Sequence, residues 1–300
     1  MSWILIALIN PATHGFANIF DNYLTNKLVK NPWTLTFYGA IFNLLLLPCV
    51  WLIQTPGWLP MNLWLACALI ALIELCYLYP YYRALQQDDT SIVCALFDLG
   101  KIFVPVFAFL LVGEQLSWFQ YLGFGLLILS SLLISLDRRK QLRLNSAFWW
   151  MVLCSLLLAL EAVLYKYLFI HVSWSTGFVW PSVLTSILSL LFLLIPKQRR
   201  SIVQQFHKLK SIAPVFIGGS LLTFIGSMAS TYAIGLVPVT LEKSVDAFQP
   251  FFVLLYAILF KRRYPKFFKE RIDARSVIRK CLFFIVMLLG ILMVVWRKGS

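Results

Sequence analysis

The stretch Met61–Ala84 reads MNLWLACALIALIELCYLYPYYRA, with one acid, Glu74, near its centre and one base, Arg83, at its end. A helix that crosses a bilayer needs roughly 20 mostly apolar residues. Lipid offers no partner to an open backbone group, so such a run must satisfy its own amides as a helix. Working outward, nine more apolar runs appear: Ser2–Leu24, Pro32–Ile53, Thr90–Val112, Trp118–Leu136, Ser146–Ile170, Trp174–Ile195, Ile212–Leu236, Thr240–Phe260 and Val277–Trp296. The pattern predicts an all-α polytopic membrane protein with ten transmembrane helices.

Composition agrees. Of 300 residues, 61% are hydrophobic and 13% charged, with a mean hydropathy of +0.83. A soluble domain is about half apolar and one quarter charged. Soluble enzymes, DNA-binding domains and disordered tails are excluded as readings of the whole chain. The net charge of +14 sits between the apolar runs. Topology and anionic lipid headgroups therefore explain it better than nucleic acid does. The six cysteines, Cys49, Cys67, Cys76, Cys94, Cys154 and Cys281, form no CxxC pair and read as small core residues. The start, Met1-Ser2-Trp3-Ile4, lacks a basic n-region and reads as a retained first helix. Tryptophans near the run ends, including Trp3, Trp33, Trp58, Trp118 and Trp174, form an interfacial belt. Pro11, Pro80, Pro105, Pro181 and Pro250 predict kinks, while Gly226 and Ser230, four apart, permit close helix approach.

The loop charges fall on one side. Loops 1–2, 5–6, 7–8 and 9–10 carry twenty basic residues, against Arg297 and Lys298 at the other end. The positive-inside rule then puts those loops in the cytoplasm and both termini outside.

Ten runs divide into five and five: a first repeat over 1–136, a basic connection over 137–145 and a second repeat over 146–300. Ile19-Phe20-Asp21-Asn22-Tyr23-Leu24 parallels Val163-Leu164-Tyr165-Lys166-Tyr167-Leu168. Tyr82 and Ala84 before Thr90-Ser91 parallel Tyr232 and Ala233 before Thr240, and Asp98 parallels Asp246. Five is odd, so the second unit inserts upside down relative to the first. Inverted repeats are a construction of secondary transporters, with the substrate held between halves.

Tyr82-Arg83-Ala84-Leu85, Thr90-Ser91, Gly113-Glu114-Gln115-Leu116-Ser117 and Gly123 together resemble the drug/metabolite transporter superfamily, of the EamA type. Two departures stand out: Lys101 where a proline is usual, and Lys261-Arg262-Arg263 where a second Gly-Glu pair is usual. The resemblance implies a cavity formed mainly by spans 1, 3, 4, 6, 8 and 9. It also implies both termini in the cytoplasm, opposite to the charge count.

Among the ionisable residues inside the runs, eight stand out: Glu74, Asp98, Lys101, Glu161, Lys166, Glu242, Lys243 and Asp246. Each costs roughly 2.5–3.5 kcal/mol at the bilayer centre, a sum on the order of 20 kcal/mol if all met lipid. Most must face a cavity or each other. Asp98 and Lys101 are three apart and share a face, as do Glu242 and Asp246 at four. Snorkelling is the alternative for Lys166 and Lys243, a helix-terminal position for Glu242, and a structural ion pair for Asp98 with Lys101. Tyr77, Tyr81, Tyr82, Phe97, Trp180, Tyr232 and Phe248 supply aromatic walls or helix packing.

The mixture of acids and lysines suits a zwitterionic or anionic metabolite, such as an amino acid or small carboxylate. The candidate substrate residues are Asp98, Lys101, Glu161, Lys166, Tyr82, Trp180 and Tyr232. The candidate proton-coupling residues are Asp246, Glu74 and Asp98, because burial favours a neutral carboxyl and makes a proton exchangeable. The expected activity is secondary-active import or export by a functional monomer in a bacterial inner membrane, without a cofactor. A flippase for lipids or lipid-linked sugars and a membrane-embedded lipid-modifying enzyme are the alternatives. No HExxH, DxxD or GxxxxGK[ST] pattern occurs, and His14, His171 and His207 stand isolated, so no catalytic or metal-binding residue is assigned.

Overall fold

The computed structural model describes residues 2–27, 29, 31–87, 93, 96–97, 100–135, 146–211, 213–260 and 274–295. Asp98, Thr90, Ser91, the 137–145 connection and the basic residues of loop 9–10 up to Arg271 lie outside them, whereas Arg275, Arg279 and Lys280, read as loop, fall in the last helix, Ala274–Val295. The described residues are helices and short connections, with no strand among them. The helices are α1 (Ser2–Lys27), α2 (Pro32–Leu46), α3 (Trp64–Gln87), α4 (Val104–Val112), α5 (Trp118–Ser135) and α6 (Ser146–His171), then α7 (Trp174–Ser189), α8 (Pro196–Ser211), α9 (Ala213–Leu236), α10 (Val239–Val245), α11 (Gln249–Phe260) and α12 (Ala274–Val295).

Among the described residues, seven segments are long and apolar enough to cross a membrane, and three shorter apolar helices accompany them: Lys101–Val112, Trp118–Leu133 and Leu282–Val294. The chain is an all-α, multi-pass integral membrane protein. Its outer surface carries the exposed leucines, isoleucines and phenylalanines that a bilayer solvates, such as Leu5, Leu65, Leu110 and Leu292.

Local signals set the boundaries. Asn31 caps α2, its side chain accepting from Trp33 N, and Pro32 stands at the first helical position. Ser173 caps α7 by accepting from Thr176 N. Gly113 ends α4 with φ 66°, and Glu114 N reaches back to the Ala108 carbonyl at 3.1 Å. Only glycine adopts that backbone without strain. The run expected as one helix over Thr240–Phe260 is interrupted: α10 and α11 are joined by a 3₁₀ turn over Asp246–Phe248, with Pro250 just beyond.

The segment expected as a charged loop 7–8 is a sixteen-residue helix, α8. Charges alone suggested a loop, but Ile202 is buried against its neighbours and gives the helix an inner face.

Packing sorts the helices into an inner group and a flanking pair. α1 lies along α9, and α3 along α6 and α7. A Cβ at Gly226 would overlap Thr13 Oγ1, so the expected close approach at this glycine is real and brings α9 against α1. α5 and α12 pack on each other at the side, where a Cβ at Gly123 would sit 2.8 Å from the Gly290 carbonyl oxygen and 2.9 Å from Met293 Cβ. Gly125 has open space instead. Gly123→Leu should therefore lower thermal stability in detergent by about 1–3 kcal/mol through overpacking. Gly125→Leu should leave it nearly unchanged, and equal melting points for the two variants would contradict this helix pairing.

Candidate functional site

The inner helices surround a cavity of about 310 Å³. Its wall begins with α1. Asn10, His14, Asn18 and Asp21 recur at steps of four, four and three, which is one face of a helix. All four line the cavity. The sequence reading missed this stripe because it weighed charges singly, and three of the four residues are neutral or weakly charged. The spacing was the available signal.

Opposite lies α3. The Tyr81 hydroxyl is 3.0 Å from both Asn18 Oδ1 and Asp21 Oδ2, which ties α3 to α1. Two turns along α3 from Tyr81, Glu74 is cradled by two hydroxyls. Tyr165 of α6 donates to Oε1 at 2.8 Å and Thr185 of α7 to Oε2 at 2.6 Å. The Thr185 hydroxyl also lies 2.9 Å from the Pro181 carbonyl oxygen. A hydroxyl has one proton and two acceptor lone pairs. When Glu74 is charged, Thr185 donates to it. When Glu74 is protonated, the carboxyl donates to Thr185 Oγ1 and the threonine proton turns to Pro181. Both protonation states keep their hydrogen bonds.

Glu161 of α6 lines the same region, close enough to Glu74 for their charges to repel. Its Oε2 is buried and has no hydrogen-bond partner among the described residues.

The other end of the cavity holds a closed ionic network. The Lys243 ammonium lies 2.8 Å from Asp246 Oδ2, 3.1 Å from Glu242 Oε2 and 3.0 Å from Ser230 Oγ. It donates to Asp246 and Ser230 and forms an ion pair with Glu242, whose Oε2 has no hydrogen-bond partner among the described residues. Ser230 donates to Glu242 Oε1 at 2.6 Å, and Asn10 to Asp246 Oδ1 at 2.6 Å. His14 Nδ1 is 2.5 Å from Asn10 Oδ1, so this histidine belongs to the network and is not isolated. Lys101 lies within electrostatic reach of Asp246 and His14. Glu242 is 0% exposed and stands in the first turn of α10, the helix-terminal position read as its alternative, and Lys243 is held by its partners.

Two further charged residues, Glu114 and Lys166, serve backbone groups at the α9–α10 turn. Glu114 caps the first turn of α10: Val239 N donates to Oε2 at 2.8 Å and Thr240 N to Oε1 at 3.0 Å. Lys166 caps the end of α9, donating to the carbonyls of Ile234 and Val237, each at 2.9 Å. Carboxylates suit helix starts and ammoniums suit helix ends. The Gly113-Glu114 pair thus has a structural role, in which the glycine turns the chain and the glutamate pins the α9–α10 turn.

The structure brings together Glu74, Glu161, Lys101, Asp246 and Tyr82 around the cavity, with Tyr77, Tyr81 and Phe97. It places three expected substrate residues elsewhere. Lys166 is spent on the α9 carbonyls. Trp180 donates from its indole to the Gly57 carbonyl at 2.9 Å and stacks on Trp58 at 5.4 Å. Tyr232 packs edge-on against Trp174 at 5.2 Å. It stands one residue past cavity-lining Thr231, about 100° around the helix. Phe248 packs on Phe284. Spans 2 and 7 join the six implied by family resemblance, contributing Thr36, Gly39 and Asn43, and Ser182 and Thr185.

The model of the EamA-like transporter family matches residues 1–136. An uncharacterized transporter in the cobO 3' region of a Sinorhizobium species is 31% identical over 138 residues, which span 45% of this chain and 96% of that one. A crystal structure of a protein superposes with a TM-score of 0.68 over 100% of this chain and 99% of the other, at 16% identity, a likeness of fold.

Removing one member of the buried network strands the others. Lys243→Met leaves Glu242 and Asp246 unpaired and should destabilise the fold by about 3–5 kcal/mol. Lys243→Met with Glu242→Gln and Asp246→Asn removes the uncompensated charge, and its melting point should recover most of that loss. A triple variant no more stable than the single one would contradict the network.

Proposed function

The chain belongs to the EamA-like transporter family, and from that premise we propose that it is a secondary-active transporter of a small polar metabolite, zwitterionic or anionic, such as an amino acid or small carboxylate. Two inverted five-helix repeats, ten membrane helices in all, alternate access to the cavity between them. The three shorter apolar helices complete the ten. The reading places a functional monomer in the cytoplasmic membrane of a bacterium, basic loops inward.

The observation that carries this reading is Glu74 in its cradle of Tyr165 and Thr185, facing the cavity beside unpartnered Glu161. A coupling group must hold and release a proton without breaking its surroundings. Glu74 meets that requirement through Thr185, which accepts or donates as the carboxyl changes state. Asp246 is bound by Lys243 and Asn10 and serves better as a fixed charge that shapes the field. Lys101, on the same side, is the cation suited to receive a substrate carboxylate. The volume, about 310 Å³, lies at the small end of the range for small-molecule sites and suits a metabolite better than a lipid-linked sugar.

The test is uptake into proteoliposomes of a panel of amino acids, small carboxylates, amines and nucleosides, with and without a pH gradient. At least one solute should accumulate when the gradient is imposed. Glu74→Gln should lose that accumulation while keeping exchange of the same solute at equal pH. Gradient-driven accumulation by Glu74→Gln equal to that of the parent protein would overturn the coupling role.

A further inference from the structure

α8 has a surface that transport of a solute does not use. It carries five lysines and arginines and no acid: Lys197, Arg199, Arg200, Lys208 and Lys210. Its inner face is fastened to α2. Asn31 Nδ2 donates to Gln198 Oε1 and to Ser201 Oγ, both at 2.9 Å. The hydroxyls of Thr34 and Ser201 are 2.9 Å apart, and Tyr38 donates to the Ile202 carbonyl at 2.9 Å.

Among the described residues the adjoining face has no partner of comparable extent. Val203 is 61% exposed and Phe206 54%, the latter meeting the Tyr38 ring at a centroid distance of 6.5 Å and its own neighbour His207 at 6.1 Å. At 100° per residue, Arg199, Val203, Phe206 and Lys210 fall within about 60° of arc. The stripe is therefore two apolar side chains with a cation at each end. Gln204 and Lys208 point to a different flank and are exposed. Both ends of α8 run directly into membrane-crossing segments, Trp174–Leu194 before it and Ala213–Leu236 after it. The helix is thereby held at the membrane surface. An amphipathic helix in that position settles its apolar side chains at the acyl boundary and its cations among phosphates.

We propose that α8 lies in the plane of the interface and that its Arg199–Val203–Phe206–Lys210 stripe binds anionic phospholipid headgroups. The occupant follows from charge complementarity: five cations without an acid select an anionic surface, and Val203 with Phe206 selects one with hydrocarbon beneath it. Binding there would steady the α2 wall, since the α8 bonds hold the turn that leads into cavity-lining Thr36 and Gly39. The inference stands apart from the identity of the solute.

The test uses the full chain in vesicles of phosphatidylcholine with or without phosphatidylglycerol. Phosphatidylglycerol should raise the melting temperature of the parent protein. Arg199→Gln with Lys210→Gln should match the parent in phosphatidylcholine alone and lose most of the gain. Each cation near the surface is worth roughly fivefold in lipid affinity, so the pair accounts for about twenty- to thirtyfold. In a second measurement, Phe206→Cys and Gln204→Cys are exposed to a membrane-impermeant maleimide, with the parent protein as the blank. Position 204 should react and position 206 should be protected. A phosphatidylglycerol gain that survives in the double variant, or equal reaction at 206 and 204, would overturn the proposal; the latter would mark the face as open to a soluble partner.

Discussion

A charge inside a bilayer has no water to turn to, and the fold is organised around that constraint. Each intramembrane ionisable residue whose surroundings are described has found one of three solutions. Lys243 pairs with Glu242 and Asp246 and donates to Asp246 and Ser230. Glu114 and Lys166 satisfy backbone groups left open where α9 ends and α10 begins. Glu74 and Glu161 face the cavity. The apolar outer surface is then free to meet lipid, and the polar interior is what remains when all these needs are met at once.

The solutions differ in how much they can change, and function follows that difference. The Lys243 network is interlocked: the ammonium bonds Asp246 and Ser230 and pairs with Glu242, so a change in one member disturbs the others. It is suited to hold α1, α9 and the α10–α11 break in register. The Glu74 cradle is adjustable, because Tyr165 and Thr185 are hydroxyls and hydroxyls reorient at small cost. A transporter needs both: a rigid part to transmit movement between the halves, and a part that accepts a change of charge. The α9–α10 turn is pinned by Glu114 from the first half of the sequence and by Lys166 from the second.

Much of the fold was legible because lipid imposes a strong pattern. Runs such as Met61–Ala84 and Trp174–Ile195 coincide with helices within a few residues. Shorter-range physics escaped the hydropathy pattern. α8 looked like a loop because its charges hid a four-residue inner face of Gln198, Ser201, Ile202 and Gln205. The α1 stripe was invisible to a search for charges, although its helical spacing is plain once the four residues are read together. Trp180 and Tyr232 were expected in the cavity on residue type alone. Their neighbours Thr231 and Ser182 line it instead, and only a helix rotation, fixed by tertiary packing, distinguishes them. Glu74 was legible as a buried carboxyl. Its hydroxyl cradle was not, since Tyr165 and Thr185 lie on two other helices.

Everything proposed for transport depends on a polar cavity running inside an otherwise apolar bundle. The most direct measurement is cysteine accessibility along α9 in native membranes, using a small water-soluble thiol reagent. Ser220, Thr223 and Ser227 line the cavity, whereas Ile217, Leu221 and Ile225 are 44%, 40% and 42% exposed on the outer surface. Cysteines at 220, 223 and 227 should be modified, and those at 217, 221 and 225 should be protected by lipid. Uniform modification along the helix, or protection of the serine and threonine positions alone, would contradict the cavity.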